Sequence, residues 1–552
     1  MKSTKQGKAI AQVGKRLEHW VGGYQPSGQG SRPPGFLVAA GSITAVAIAL
    51  PLLYLVIRAA GAGFEEVWTL LSRPRTLEVL GRSAGLAAAV TLFSALISLP
   101  LAFLTERTNL PGRRFWTVAT TLPLAVPSYV GSFALIASFG TRGSWLQLLL
   151  EPFGVEELPS IYGWPGAILA LTLFTYPYLL IALRSGLQGI DPAIEEASRT
   201  LGNNAWSTFW QVTLPQLRPS LVAGGLLVAL YSLRDFGTPS LMRFDSFTRV
   251  IFIQYRSSFN RNSAAVLSLV LVALLFLILA IEYRVRTGAA YYSSSSGGSR
   301  TPTRIALGPW KWPAIAFCSL ITALGLVLPL AVTLFWLGRG LNAGKIPPDV
   351  LTTSFNSILA SGLSALIATL FALPVAILSV RFPGLITTVI ERLTYIGFGL
   401  PGIVVALSLV SMGSKYVSFL YQTLPMLVFA YLVLFLPQSV GTIRSSLLQV
   451  NPQLEESART LGRTPWQTLG EITLPLVSPG VLGGAVLVFL TAIKELPATM
   501  LLAPIGFKTL ATQIWQATED VQFTDAAAAS LTLLLVSAGS TLVLLWRNPA
   551  KN

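Results

Sequence analysis

The chain has 552 residues, of which 53% are hydrophobic and only 11% charged. A soluble domain carries about 25% charged residues, so most of this chain belongs in lipid. Its net charge of +16 is spread between apolar runs rather than gathered on a polar domain, which argues for basic membrane loops and against a nucleic-acid partner. The single cysteine, Cys318, and the single histidine, His19, exclude an intramolecular disulfide and a His/Cys metal cluster, so no metal site is expected.

Residues 1–35 read as a basic tail with Lys2, Lys5, Lys8, Lys15, Arg16 and Arg32 and a Gly/Pro/Ser-rich end. The tail has no apolar core of the kind a signal peptide needs. Runs close to the ~20 residues that cross a bilayer follow at 36–57, 80–104, 116–138, 164–187, 221–242 and 264–283. A basic, serine-rich linker occupies 285–311, and six more runs lie at 312–337, 358–380, 393–412, 424–447, 481–502 and 526–546. The expectation is an all-α integral membrane protein of twelve transmembrane helices in two parallel six-helix repeats, 36–284 and 312–547. With the N-terminus inside, cytoplasmic segments carry 24 Lys and Arg and outer segments 13. That bias places both termini in the cytoplasm.

Between the fourth and fifth runs of each half lies a polar segment that occurs twice, at 191–219 and 451–479, with a constant offset of 260. An internal repeat of this kind fixes architecture. Each copy reads as two short helices. Asp191 and Asn451 are good N-caps, followed by Pro192 and Pro452 at the first helical position. Gly202 and Gly462 suit the left-handed residue that ends a helix. Thr464, Pro465 and Gln467 give the second helix a capping box, and Asn204 is the cap in the first copy. Pro215 and Pro475 close the unit. Ile194, Ala197, Ser198 and Leu201, and Leu454, Ser457, Ala458 and Leu461, mark one smooth face at helical spacing. Glu195, Glu196 and Arg199, and Glu455, Glu456 and Arg459, stand around it. A connector resting on lipid headgroups would carry bulky apolar residues and many lysines, and this segment has neither.

The pattern E-A-S-x-x-x-G…V-T-L-P, and its second copy E-S-A-x-x-x-G…I-T-L-P, resembles the EAA loop of permease subunits of type I ABC importers. The resemblance implies a cytoplasmic coupling helix that docks into a groove on an ATPase subunit. It assigns that role to Glu195, Glu196, Ala197, Ser198, Gly202, Leu214 and Pro215, and to Glu455, Glu456, Ser457, Ala458, Gly462, Leu474 and Pro475. Ser replaces one Ala of the family pattern in each copy, and Val212 replaces Ile in the first.

Similarity between the halves extends further. Pro177, Arg184 and Ser185 match Pro437, Arg444 and Ser445 at the same offset, whereas Pro100 and Pro127 match Pro374 and Pro401 at 274. The 14 extra residues of the first half therefore lie between Pro127 and Pro177, in an outer segment near 151–162. Two repeats of like orientation imply a pseudo-twofold axis along the membrane normal, with the pathway on it. The paired prolines bend spans, either to shape a gate or only to fit the spans together.

The fifth span of each half carries a base and an acid: Arg234 and Asp235 in R-D-F-G-T-P, and Lys494 and Glu495 in K-E-L-P-A-T. Charges within a bilayer are costly and face the interior or water. Neighbours on a helix point about 100° apart, so the expected partners are across the axis, Arg234 with Glu495 and Lys494 with Asp235. These four residues either line a path for a cationic substrate or form a structural lock or gate. The presence of a base beside each acid favours the lock. The same two motifs resemble the two-half permeases for ferric iron, relatives of the thiamine and polyamine permeases, along nearly the whole chain after the tail.

No G-x-x-x-x-G-K-[ST] loop is present, so a nucleotide site is not expected. No Ser/His/Asp or Cys/His arrangement suggests an enzyme. The resemblance implies a translocation subunit in the cell inner membrane, with no cofactor of its own. ATP and Mg would bind to two separate ATPase subunits. A periplasmic or lipid-anchored binding protein would dock outside, on segments that include 243–262 and 507–525. The cargo that the resemblance implies is ferric iron, with thiamine, a polyamine or another small solute as the alternative within the same transporter class. The alternative of another class is an ion- or proton-coupled secondary transporter with Asp235 and Glu495 as carriers.

Overall fold

A segment buried in lipid can satisfy its backbone only within itself, so long apolar runs fold as helices. The computed structural model describes residues 33–547 apart from 62, 259–260, 289–303, 346 and 348. Most of the basic tail and the centre of the linker thus lie outside the described residues. Among those described there is no β-strand, and ten helices are long and apolar enough to cross a membrane.

In chain order the first half comprises α1 (Gly35–Ala60), α2 (Pro74–Arg107), α3 (Arg113–Ala125), α4 (Ser128–Phe139) and α5 (Trp164–Gly189). It continues with α6 (Pro192–Thr200), α7 (Leu214–Arg234), α8 (Gly237–Leu241), α9 (Phe247–Ser258) and α10 (Arg261–Gly288). The second half repeats the order as α11 (Gly308–Asn342), α12 (Val350–Arg381), α13 (Leu385–Gly399), α14 (Gly402–Tyr416) and α15 (Leu424–Gln449). It ends with α16 (Pro452–Thr460), α17 (Leu474–Ala492), α18 (Pro497–Leu502), α19 (Leu510–Glu519) and α20 (Phe523–Arg547).

The third expected span of each half is not straight. α3 and α4 meet at 96°, and α13 and α14 at 105°. The bends fall at Pro127 and Pro401, which have extended-region ψ values and begin the second arm of each pair. The other matched prolines, Pro100, Pro177, Pro374 and Pro437, sit inside continuous helices. The fifth expected spans also differ from simple rods. α7 stops at Arg234 and α17 at Ala492, and a short helix completes each run. Towards the loops, each of these spans is preceded by a π-helical turn, Phe209–Thr213 or Leu469–Thr473. Proline removes an N–H and clashes with the carbonyl four residues back, and a local π turn before Pro215 and Pro475 absorbs that misfit.

The first span of each half lies against the opposite half. Ser408 Oγ of α14 donates to Pro51 O of α1 at 2.7 Å. Gly41 of α1 is so close to the second half that a Cβ there would meet Leu378 at 2.8 Å and Ile390 at 3.3 Å. Reciprocally, Trp336 Nε1 of α11 donates to Ala137 O of α4 at 3.4 Å, and Gly325 of α11 packs on Pro123. α5 and α15 are the most enclosed spans, with Tyr176 and Tyr431 fully buried.

This exchanged packing makes Gly41 a sensitive position. Gly41→Leu is expected to lower detergent-state thermal stability by about 1–3 kcal/mol through overpacking. Gly362→Leu should leave it unchanged in the same melt, because a Cβ at Gly362 meets nothing within 4 Å.

Candidate functional site

The two polar loops form matching knuckles. Asp191 Oδ1 accepts Ala193 N and Asn451 Oδ1 accepts Gln453 N, both at 3.0 Å. Gly202 and Gly462 end α6 and α16 at φ +94° and +85°, a conformation that a Cβ disfavours. Asn204 Oδ1 accepts Ser207 N at 2.8 Å, and Thr464 and Gln467 exchange bonds at 2.9 and 3.3 Å. Ile194, Glu196, Ala197, Leu201 and Gly202 are exposed, as are Leu454, Glu456, Ser457, Leu461 and Gly462. Leu201 and Leu461 are each 85% exposed, so the knuckles present apolar knobs that nothing among the described residues covers. Leu214, Pro215 and Leu474 are half-buried, and Pro475 is exposed.

The smooth face read from the sequence is in fact two faces. Ser198 and Ala458 point inward with Glu195 and Glu455. Ser198 Oγ is 3.2 Å from both Thr208 Oγ1 and Asn203 Nδ2. Glu195 is paired with Arg107 at the end of α2, Nε to Oε1 at 3.2 Å, and accepts Thr213 Oγ1 at 3.0 Å. Glu455 is paired with Arg381 at the end of α12 at 2.9 Å and accepts Thr473 Oγ1 at 3.1 Å. Arg107 also donates to Leu187 O and Arg381 to Val450 O, at 2.8 and 3.3 Å. Each first glutamate therefore fastens its knuckle to the end of the second span of its half and to the end of the fourth. Arg107 and Arg381 are the residues that sequence reasoning missed. They stand 274 apart, the offset already carried by Pro100 and Pro374, and that was the available signal.

The intramembrane charges lie at the far end of α7 and α17. α7 is 21 residues long, which places Arg234 about 30 Å from Leu214 at 1.5 Å rise per residue. No ion pair joins Arg234 to Glu495 or Lys494 to Asp235 among the described residues. Instead, Arg234 Nη1 donates to Phe398 O at 2.6 Å and Nη2 to Leu400 O at 3.1 Å. Lys494 Nζ donates to Ala125 O at 2.7 Å. These carbonyls are the loose ends of α13 and α3, just before the proline bends. A helix end leaves its last carbonyls unpaired, and its dipole attracts a cation there. Each base thus closes the broken span of the opposite half.

The acids serve their own half. Asp235 accepts Thr238 N at 2.9 Å and Ser128 Oγ at 2.7 Å. Glu495 accepts Ala498 N at 3.3 Å. Ser128 and Gly402 are equivalent residues, 274 apart at the starts of α4 and α14. The short acid faces a serine, while the longer acid faces a glycine whose added Cβ would collide with Glu495 Oε1. All four charged side chains are partly accessible. Adjacent base and acid are therefore two caps with different targets, the base across the contact between halves and the acid within its own half.

Residues 98–286 and 368–548 each match the family described as binding-protein-dependent transport system inner membrane component. The chain belongs to that family. It is a permease component with two such domains in one polypeptide, a multi-pass protein of the inner membrane. Its relatives include the Fe(3+)-transport system permease protein FbpB 2 of Haemophilus influenzae, 35% identical over 92% of this chain and 97% of the relative. The ferric transport system permease protein FbpB of Actinobacillus pleuropneumoniae is 25% identical over 87% of this chain and 73% of the relative. The sulfate transport system permease protein CysT of Escherichia coli is 26% identical and spans 45% of this chain and 92% of its own length. A single-half relative of that size is what a fused, twofold permease would match.

Two predictions test the geometry of this permease. Breaking the buried pair with Glu195→Ala strands Arg107 and should cost about 3–5 kcal/mol, read as a lowered unfolding temperature of the purified permease. Gly402→Ser alone should also destabilise it, by displacing Glu495. Combining it with Glu495→Asp recreates the arrangement of the first half and should restore the melt to near wild type.

Proposed function

We propose that this permease is the fused translocation unit of an ATP-driven importer for ferric iron, and that its two knuckles each receive one ATPase subunit. The observation that carries the reading is the paired α6 and α16, rigidly capped and buttressed from within by Arg107–Glu195 and Arg381–Glu455, with Leu201 and Leu461 left standing outward. ATP and Mg belong to those partner subunits. The knuckles and both termini face the cytoplasm, in line with the excess of Lys and Arg on that side. A binding protein loaded with cargo docks on the opposite face, where α9 and α19 lie.

The 35% identity to a permease named for Fe(3+) transport, along almost the whole of both chains, supports iron as the cargo. The mechanism is mechanical. Closure of the ATPase pair draws the knuckles together. The ion pairs behind them carry that motion into α2 and α12, and the bends at Pro127 and Pro401 respond. Arg234 and Lys494 act as bolts of the gate, because each ties one half to the broken span of the other. Release of these bonds lets the halves part on the pathway.

Ala197→Arg combined with Ser457→Arg places charge on the exposed docking face without touching the buried one. Uptake of radiolabelled iron into proteoliposomes, with ATP and the binding protein supplied, should fall at least tenfold, and the ATPase should no longer co-purify, while the unfolding temperature stays at its wild-type value. Full uptake by the double variant, or uptake by the permease alone on an ion gradient, would contradict the proposal.

A further inference from the structure

The face away from the knuckles holds a cavity of about 180 Å³ lined by Ser240, Arg249, Phe252, Ile253, Arg256, Trp515 and Glu519. Its walls are α9 from the first half and α19 from the second. These are the same segment of the two repeats: Phe247 N donates to Ser83 Oγ and Leu510 N to the equivalent Ser357 Oγ, an offset of 263 that makes Phe252 and Trp515 matching residues. Two copies of one segment meet only where the pseudo-twofold axis passes, so the cavity lies over the pathway. Phe252 and Trp515 close it edge to face, with ring centroids 6.4 Å apart. Ser240 belongs to α8, whose Thr238 N holds Asp235, so the wall of the cavity is continuous with the layer of charges beneath.

The lining is rich in donors and poor in acceptors. Two guanidinium groups, a hydroxyl and an indole face one carboxylate. Arg249 is braced by Asp245, but a guanidinium has five N–H groups in a fork that suits oxyanions, and one carboxylate does not exhaust it. The Trp515 indole can only donate, and its buried Nε1 has no acceptor among the described residues. A buried donor without a partner is destabilising, so an acceptor that reaches it is favoured. Glu519 is the one acid in the lining. Desolvation raises its carboxyl above the ordinary value, against the pull of Arg256, and its charge is the one like charge that an entering anion would meet.

We propose that this cavity is an anion-receiving site at the mouth of the pathway, which takes a small oxyanion or the carboxylate or phosphate groups of a chelated metal. Cargo then enters with negative groups leading rather than as a bare trivalent cation. The role as cargo mouth rests on the importer function proposed above, whereas the anion binding does not.

The test uses the full permease in nanodiscs with its ATPase and without the binding protein. Sulfate and inorganic phosphate are titrated against tryptophan fluorescence, with Trp515→Phe as the blank. A saturable change is expected in the wild type and not in the blank. Arg256→Gln, an exposed position, should weaken the dissociation constant about tenfold, the loss of one charge-assisted hydrogen bond. Glu519→Gln should tighten it several-fold. The opposite responses of the two variants separate anion recognition from damage to the fold. The proposal is overturned if neither anion gives a saturable response, if both variants bind like wild type, or if the inert cation hexaamminecobalt(III) binds more tightly than sulfate. ATP-driven iron uptake by the same preparation separates the two readings. Uptake without anion binding rejects the cavity site alone, and absence of uptake rejects the importer function.

Discussion

Backbone carbonyls at a broken helix end have no water to turn to in lipid, and each one left bare costs several kcal/mol. That constraint governs the centre of this permease. The bends at Pro127 and Pro401 expose carbonyls at Ala125, Phe398 and Leu400, and the donors come from the other half, as Lys494 and Arg234. The exchange is reciprocal, so neither half has a complete interior without its partner. The swapped packing of α1 and α11 repeats the same dependence at the periphery.

The two halves differ in side chains while the geometry is kept. Arg234 makes two bonds to its bend, and Lys494 one. Asp235 meets Ser128, whereas the longer Glu495 fits against Gly402. The knuckles behave in the same way. Glu195 and Glu455 keep the same arginine and threonine partners, although Ser and Ala trade places beside them. What is held constant is the position of a charge or a cap, and side-chain length adjusts around it.

Much of the fold was legible in the sequence because its signals are local. The repeat, the span positions, the N-caps at Asp191 and Asn451 and the left-handed Gly202 and Gly462 all depend on a few adjacent residues. Hydropathy averages over about 20 residues, so it sees an apolar run at 116–138 and not a 96° bend within it. The inward turn of Glu195 could not be read from its helix, because the stripe 194, 197, 201 and the stripe 195, 198 both mix small residues, and the deciding partner, Arg107, lies 88 residues away. Of the charges expected to pair across the axis, Arg234 and Glu495 attract each other, but neither expected pair closes as an ion pair, for a related reason. The true acceptors are main-chain oxygens, which no residue type announces.

The reciprocal capping is most directly tested by amide hydrogen exchange of the purified permease at 124–130 and 398–404, in wild type, Lys494→Met and Arg234→Met. Loss of a cap frees the bend it serves, so Lys494→Met should speed exchange in the first segment alone and Arg234→Met in the second alone. Faster exchange only in the variant's own half, or no change in either segment, would contradict the account.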